Sequence, residues 1–438
     1  MSGVALAAVG FGAMLLLIAL RMPIGLSMLV VGSIGYIHLS SWQAFFAYMK
    51  TNPYYQFANY TLSVIPLFIL MGALAERSGI STSLFKAAEA FAGRLKGGLA
   101  MAVIWACTAF GAICGSSVAT TATFGRAALP ELQRYKYDAG LATGTIAVGG
   151  TLGILIPPSI ILVVYAITTE QNIAKLFQAA LLPGLMAALF YTFSIAWNVR
   201  RRPHLAPPAN EQIADRRQAV LSVWPVLLVA VTVIGGIYGG IFTPTEGAAF
   251  GAVAMLLVGL AQRRLSLTGI VESIKQTAET SAMIFIILLG SEVFDAFLAL
   301  SRLPEAAAEL VGHSGLPPYA IMISLMLFYI LLGAVMDELA MILLTLPVFF
   351  PIVQALDFGL PAEEVAIWFG ILVLIVVGIG LTAPPIGLNV FVISSIAKTV
   401  PITSTYRGVL PFIFVDVIRL GLVIAFPGLA LWLVRLLS

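Results

Sequence analysis

The chain has 438 residues, 60% of them hydrophobic and only 10% charged. A soluble globular domain carries roughly 25% charged residues, so a water-soluble fold is excluded. The net charge of +3 gives no reason to expect a nucleic-acid partner. A helical crossing takes about 20 apolar residues, and the apolar segments supply roughly ten crossings of an all-α polytopic membrane protein.

In chain order, residues 4–20 form a first span with no charged region before them and no evident cleavage site. Residues 23–39 form a second. Residues 40–60 are aromatic and mildly polar, as an interfacial loop would be, and 61–75 make a short third span. Residues 76–98 carry Arg77, Lys86, Arg94 and Lys96 among Leu84, Phe85, Ala88 and Phe91. This is a basic amphipathic stretch suited to the cytoplasmic surface. Residues 1–98 therefore read as scaffold spans with a surface arm.

Residues 99–129 are interrupted at Gly115, Ser116 and Ser117, and both flanks are basic. The positive-inside rule puts both ends in the cytoplasm. Two full crossings need roughly 40 residues, so this piece is a re-entrant helical hairpin with its tip near mid-membrane. The apolar stretch 138–168 then contains GTLGILIPPS at 150–159. Pro157 and Pro158 lack amide donors and clash with the preceding turn, so the helix breaks. Freed carbonyls are tolerated in a membrane only where they are buried in protein or line a cavity. Residues 175–199 return to Arg200, Arg201 and Arg202, which closes a first transport half over 99–199. The arginine- and proline-rich stretch 200–218 is a cytoplasmic linker.

The second half repeats the order. Residues 219–242 lead out. At 243–246, TPTE either makes a turn whose Glu246 caps the next helix or forms a functional motif. Residues 247–261 return to Arg263 and Arg264, and 267–280 form a second polar arm, so 219–280 is again scaffold. Residues 281–300 lead out, with Glu292 and Asp295 intrahelical or subunit-facing, and 303–318 read as an acidic periplasmic loop; together they make the segment 281–318. Residues 319–356 are a second hairpin broken at Asp337 and Glu338, and its acidic distal flank places both ends outside. The second broken span, 365–397, holds GIGLTAPPIGLN at 378–389, and 409–433 is the last crossing of a second transport half, 319–438. Landmarks pair at a nearly constant offset: Gly111 with Gly333, Pro157 with Pro384, Pro183 with Pro411. Opposite charge flanks on the two hairpins make this an inverted repeat, and matched interrupted helices point to a transporter's binding site.

The chemistry is expected where the tips and breaks converge. Gly115, Ser116, Ser117, Thr120 and Thr121 form one tip. Glycine lets backbone approach a ligand, and a helix N-terminus favours an anion; close helix packing is the alternative use of small residues. Unwound carbonyls near Thr151 and Gly380 are hard donors that suit an alkali cation. Asp337 and Glu338 sit at membrane depth, which marks function unless their tip is shallow and wet. Arg126 either meets a substrate carboxylate or snorkels to the cytoplasmic face. Cys107 and Cys114 read as small buried residues. His38, His204 and His313 are scattered, and neither HExxH nor a phosphate loop occurs, so an enzyme is disfavoured.

Together, GAICGSSVA at 111–119, GGTLGILIPPS at 149–159, LFQAALLPG at 176–184, FTPTE at 242–246, 333–351 with Asp337 and two prolines, and 378–391 cover nearly the whole chain. They resemble the large membrane subunit of tripartite ATP-independent periplasmic (TRAP) transporters, the DctM-like family. The resemblance implies an elevator-type, sodium-coupled importer in the bacterial inner membrane. It implies a small four-helix membrane subunit and a periplasmic binding protein as partners, with a carboxylate or sialic-acid-like anion as cargo. Sodium would be the only metal, with no organic cofactor. It would sit at Gly115, Ser116 and Ser117 with the Gly149, Gly150 and Thr151 backbone, and again around Gly380, Thr382, Pro384, Gly387 and Asn389. Substrate would meet Ser117, Thr120, Thr121, Asp337, Glu338 and Arg126. Two departures stand out. Cys114 replaces a frequent serine, and the family's Thr-Pro-Pro appears as Thr382-Ala383-Pro384-Pro385, so the second ion site is expected to be the weaker. A one-component sodium–anion symporter and a passive anion channel are the alternative functions for such a fold.

Overall fold

A computed structural model describes residues 2–207 and 216–437. Part of the expected linker, 208–215, lies outside the described residues. Among the described residues there are twenty α-helices and no strand. The first half contains α1 (Gly3–Ala19), α2 (Ile24–Leu39), α3 (Trp42–Phe57), α4 (Val64–Arg77), α5 (Ile80–Ala92), α6 (Gly98–Cys114), α7 (Ser117–Arg134), α8 (Ala139–Leu155), α9 (Ile160–Thr168) and α10 (Ile173–Arg201). The second contains α11 (Arg216–Tyr238), α12 (Pro244–Ala261), α13 (Leu267–Ser301), α14 (Leu303–Gly312), α15 (Pro318–Gly333), α16 (Glu338–Gln354), α17 (Ala362–Gly380), α18 (Leu388–Ile396), α19 (Ile402–Ala425) and α20 (Gly428–Leu437). Seven helical stretches are long and apolar enough to cross a membrane, and the pair α8–α9 makes an eighth, bent by 43°.

Four expectations are corrected. Residues 40–60 are mostly helix, not loop. Ser41 caps α3 by accepting from the Ala44 amide at 3.2 Å, and the polar stripe Tyr48, Asn52, Gln56 fastens to Glu292 of α13. Asn52 Nδ2 and Gln56 Nε2 donate to its two carboxylate oxygens at 2.7 and 3.1 Å. Residues 267–300 are not an arm plus a span but one 35-residue helix. Ser273 and Thr277 return their hydroxyls to carbonyls one turn back, so the polar stretch never interrupts it. Residues 303–312 are helical, with Pro304 in the first turn where no amide is needed. The last crossing runs over Ile402–Ala425 and stops before Pro427, after which α20 follows separately.

The halves interlock. α2 lies along α13, close enough that a Cβ on Gly25 would fall 2.7 Å from the Ile286 carbonyl; small residues permit such approach between membrane helices. The counterpart α12 lies along α4. In the centre, α8 and α17 are buried along nearly their whole lengths. They are apolar on every face, as a helix enclosed by protein should be. By contrast, α1 and α11 expose Leu15, Leu16, Leu228 and Val231, a surface fit for lipid.

Candidate functional site

Each half closes a hairpin and breaks a helix. Gly115 ends α6 with φ +64, a backbone region natural to glycine. Ser116 is extended and caps α7, its hydroxyl accepting from the Ala119 amide at 3.4 Å. The second tip ends at Asp337, whose Oδ1 accepts from the Leu339 and Ala340 amides at 3.1 Å each and starts α16. The breaks separate α8 from α9 and α17 from α18, and each holds a cis Pro-Pro peptide, Pro157–Pro158 and Pro384–Pro385.

Both tips border one cavity of about 540 Å³. Gly115 and Ser116 face it from the first hairpin, Asp337 and Glu338 from the second, Ile160 and Leu388 from the two breaks, and α4 and α13 form the opposite wall. One carboxylate oxygen of Glu338, Oε2, is shielded and without a hydrogen-bond partner.

Beside this cavity lies a polar cluster built from both halves. Asn389, grouped by sequence with the second break, reaches the first hairpin. Its Nδ2 donates to Ser117 Oγ at 2.7 Å and to the Ala147 carbonyl at 3.0 Å. Its Oδ1 and the Thr121 hydroxyl are buried without partners. Gly150 adjoins them, since a Cβ there would collide with the Thr121 hydroxyl and sit 3.1 Å from Asn389 Nδ2. Two buried side-chain oxygens therefore keep unused acceptor capacity.

The other expected residues are placed elsewhere. Thr120 spends its hydroxyl on the Ser116 carbonyl at 2.7 Å. Gly149 faces Cys107. Thr151 points to α10, donating to the Val148 carbonyl at 2.8 Å and lying 3.3 Å from the Tyr191 hydroxyl. At the second break, Gly380 packs on Gly333, Gly387 has φ +56, and Thr382 donates to the Ile379 carbonyl at 3.0 Å. Pro384 is exposed. Arg126 is not among the residues lining the cavity: it is bound to Glu76, which does line it, at 2.7 Å with its own side chain 61% exposed. Glu246 and Thr243 form a reciprocal capping box, so TPTE starts α12.

Sequence reading passed over one buried group. Tyr191 donates to Asp416 Oδ2 at 2.6 Å, Asp416 pairs with Arg419 at 2.8 Å, and Arg419 donates to the Pro183 carbonyl at 3.1 Å. The signal was available, an Asp and an Arg three apart inside an apolar span. Through Tyr191 this group touches Thr151 of the first break.

The family profile described as the tripartite ATP-independent periplasmic transporter, DctM component, matches residues 11–429. The chain is similar to the C4-dicarboxylate TRAP transporter large permease protein DctM of Pseudomonas aeruginosa, 35% identical over 377 residues, covering 85% of this chain and 86% of that one. It is similar to the ectoine TRAP transporter large permease protein TeaC of Halomonas elongata, 34% identical with coverage of 85% and 86%. It also resembles the sialic acid TRAP transporter large permease protein SiaM of Vibrio cholerae, 30% identical with coverage of 86% and 87%. Among solved structures, the YdaH transporter of Alcanivorax borkumensis shares the fold, with a TM-score of 0.62 over 89% of this chain and 90% of that one at 14% identity.

Proposed function

Because the chain belongs to the DctM component family of tripartite ATP-independent periplasmic transporters, we propose that it is the large permease that carries a small carboxylate-bearing solute across the bacterial inner membrane together with sodium. Relatives are named for C4-dicarboxylates, ectoine, sialic acid and isethionate, all small solutes bearing an acid group. A periplasmic binding protein would deliver the cargo and a small four-helix membrane subunit would flank the scaffold. The hairpins and broken helices, α6–α9 and α15–α18, would move as one body against α2, α4, α12 and α13, as in an elevator.

The observation that carries the reading is the pair of buried, unpartnered oxygens, Thr121 Oγ1 and Asn389 Oδ1. They come from α7 and α18, one from each half. An ion held between them ties the first hairpin to the second broken helix. A ligand favours whichever arrangement it binds better, so sodium in this pocket stabilises the closed tip that borders the cavity. Cargo entering that cavity then meets a formed wall.

The test is uptake in proteoliposomes holding this chain, its small subunit and its binding protein. Uptake is expected to collapse when the sodium gradient is removed; uptake that persists unchanged would sink the proposal. Uptake without the binding protein favours a one-component symporter, and unitary currents favour a channel.

A further inference from the structure

The cavity between the hairpin tips has two unlike ends. Both α7 and α16 start at a tip, so each presents a helix N-terminus, which carries partial positive charge. At the first tip the cap is neutral Ser116, leaving that end receptive to an anion. At the second the cap is the acidic side chain of Asp337, followed at once by Glu338, so that helix end is already occupied by acidic groups. Glu76 is a third acidic residue on the wall, but it is already matched by Arg126 at 2.7 Å.

Among the described residues no Lys, Arg or His lines this cavity. Much of the remaining wall is apolar, with Met283 and Leu388 among its members. Glu338 Oε2 is shielded there and receives no hydrogen bond. Two acidic side chains with no cation beside them offer a third carboxylate no charged partner, and the apolar wall leaves little solvent to screen it. A buried acceptor left unmade is costly, and a charged donor relieves it best. A volume of about 540 Å³ suits a small organic molecule.

We propose that the cargo is a zwitterion, with a carboxylate held at the Ser116 tip and a protonated nitrogen donating to Glu338 at the other. This rests on the transport reading above and narrows its cargo: a dicarboxylate would place its second carboxylate against Asp337 and Glu338.

The test has two arms. In the first, the cognate binding protein is heated with three zwitterions (ectoine, β-alanine and γ-aminobutyrate) and three acids lacking a cationic nitrogen (succinate, malate and N-acetylneuraminate). Stabilisation by at least one zwitterion and by none of the acids is expected; stabilisation by any acid, or by no zwitterion, overturns the proposal. In the second, the stabilising probe is radiolabelled and its uptake measured into sodium-free proteoliposomes of the full three-component transporter, with sodium supplied outside. Glu338→Gln is expected to raise the probe's KM about tenfold, as loss of one charge-assisted bond would. Glu338→Asp should recover part of the loss, and the sodium concentration for half-maximal uptake should stay put. An unchanged KM in Glu338→Gln overturns the proposal. So does a shift confined to the sodium dependence, because Glu338 would then be an ion ligand. Sodium-independent uptake by the unmodified complex would instead defeat the coupling reading and leave the cargo result standing.

Discussion

The two Pro-Pro breaks share a motif and a cis peptide, yet they are finished differently. Pro157 and Pro158 are buried, whereas Pro384 and Pro385 are exposed. At the second break the loose backbone is taken up by protein. Tyr406 donates to the Pro385 and Ile386 carbonyls at 2.9 and 2.6 Å, the Ile386 amide finds the Ala334 carbonyl at 3.2 Å, and the Asn389 amide finds that of Leu381 at 2.9 Å. Thr382, displaced from its prolines by Ala383, returns its hydroxyl to its own helix. Beside α8, by contrast, the side-chain oxygens of Thr121 on α7 and Asn389 on α18 remain without a partner. A repeated motif therefore need not repeat a binding site. What distinguishes the copies is that the polar groups around the second break are paired within the protein, whereas two side-chain oxygens packed on α8 are not.

The strongest way to break this contrast is to loosen what holds the first break. Arg419 and Asp416 are almost fully buried as a pair, and removing one partner of such a pair destabilises by about 3–5 kcal/mol. Arg419→Met should therefore lower the melting temperature of the detergent-solubilised protein sharply, and Asp416→Leu with Arg419→Met should recover much of the loss, since no lone charge remains. A double variant as unstable as the single one would mean the pair acts through shape rather than charge. Next in size is Asn389→Ala, which removes two hydrogen bonds to the first half together with the unpartnered Oδ1. At roughly 1.5 kcal/mol per bond, the sodium concentration for half-maximal uptake should rise about 100-fold. A sodium titration showing no rise would place the ion elsewhere.

Much of this was legible in the sequence because it is local chemistry. A proline pair without amides, a Gly-Ser-Ser turn that needs positive φ and a cap, and charge flanks on apolar runs all act within a few residues. Helices α6 and α7 meet at Gly115 and Ser116, and α8 and α17 stop short of their proline pairs. Four things were hidden, most of them because they depend on partners far along the chain. The stripe Tyr48, Asn52, Gln56 looks like loop polarity until Glu292 of α13 is set against it. The difference between Thr120 and Thr121 is one of helix phase: the first hydroxyl turns back to Ser116 and the second turns toward Gly150. Asn389 reads as part of its own break, and only the packing of α18 against α7 and α8 carries it across to the first half. Asp416 and Arg419 were visible as charges in a span but not as a pair wired to Thr151.

The finest test compares one threonine from each copy. Thr121→Val deletes an unpartnered hydroxyl at nearly constant volume, so no protein hydrogen bond is lost and any effect reports the ion. The half-maximal sodium concentration should rise about tenfold, with the melting temperature in sodium-free buffer unchanged. Thr382→Val deletes a hydroxyl already bonded to the Ile379 carbonyl. That carbonyl keeps its place at the helix end, so the sodium dependence should move by less than about twofold, a fraction of one hydrogen bond's worth. Equal shifts in the two variants would restore the second break as a full ion site. A shift in Thr382→Val alone would reverse the order of the copies and return Asn389 to a purely structural link between α18 and α7.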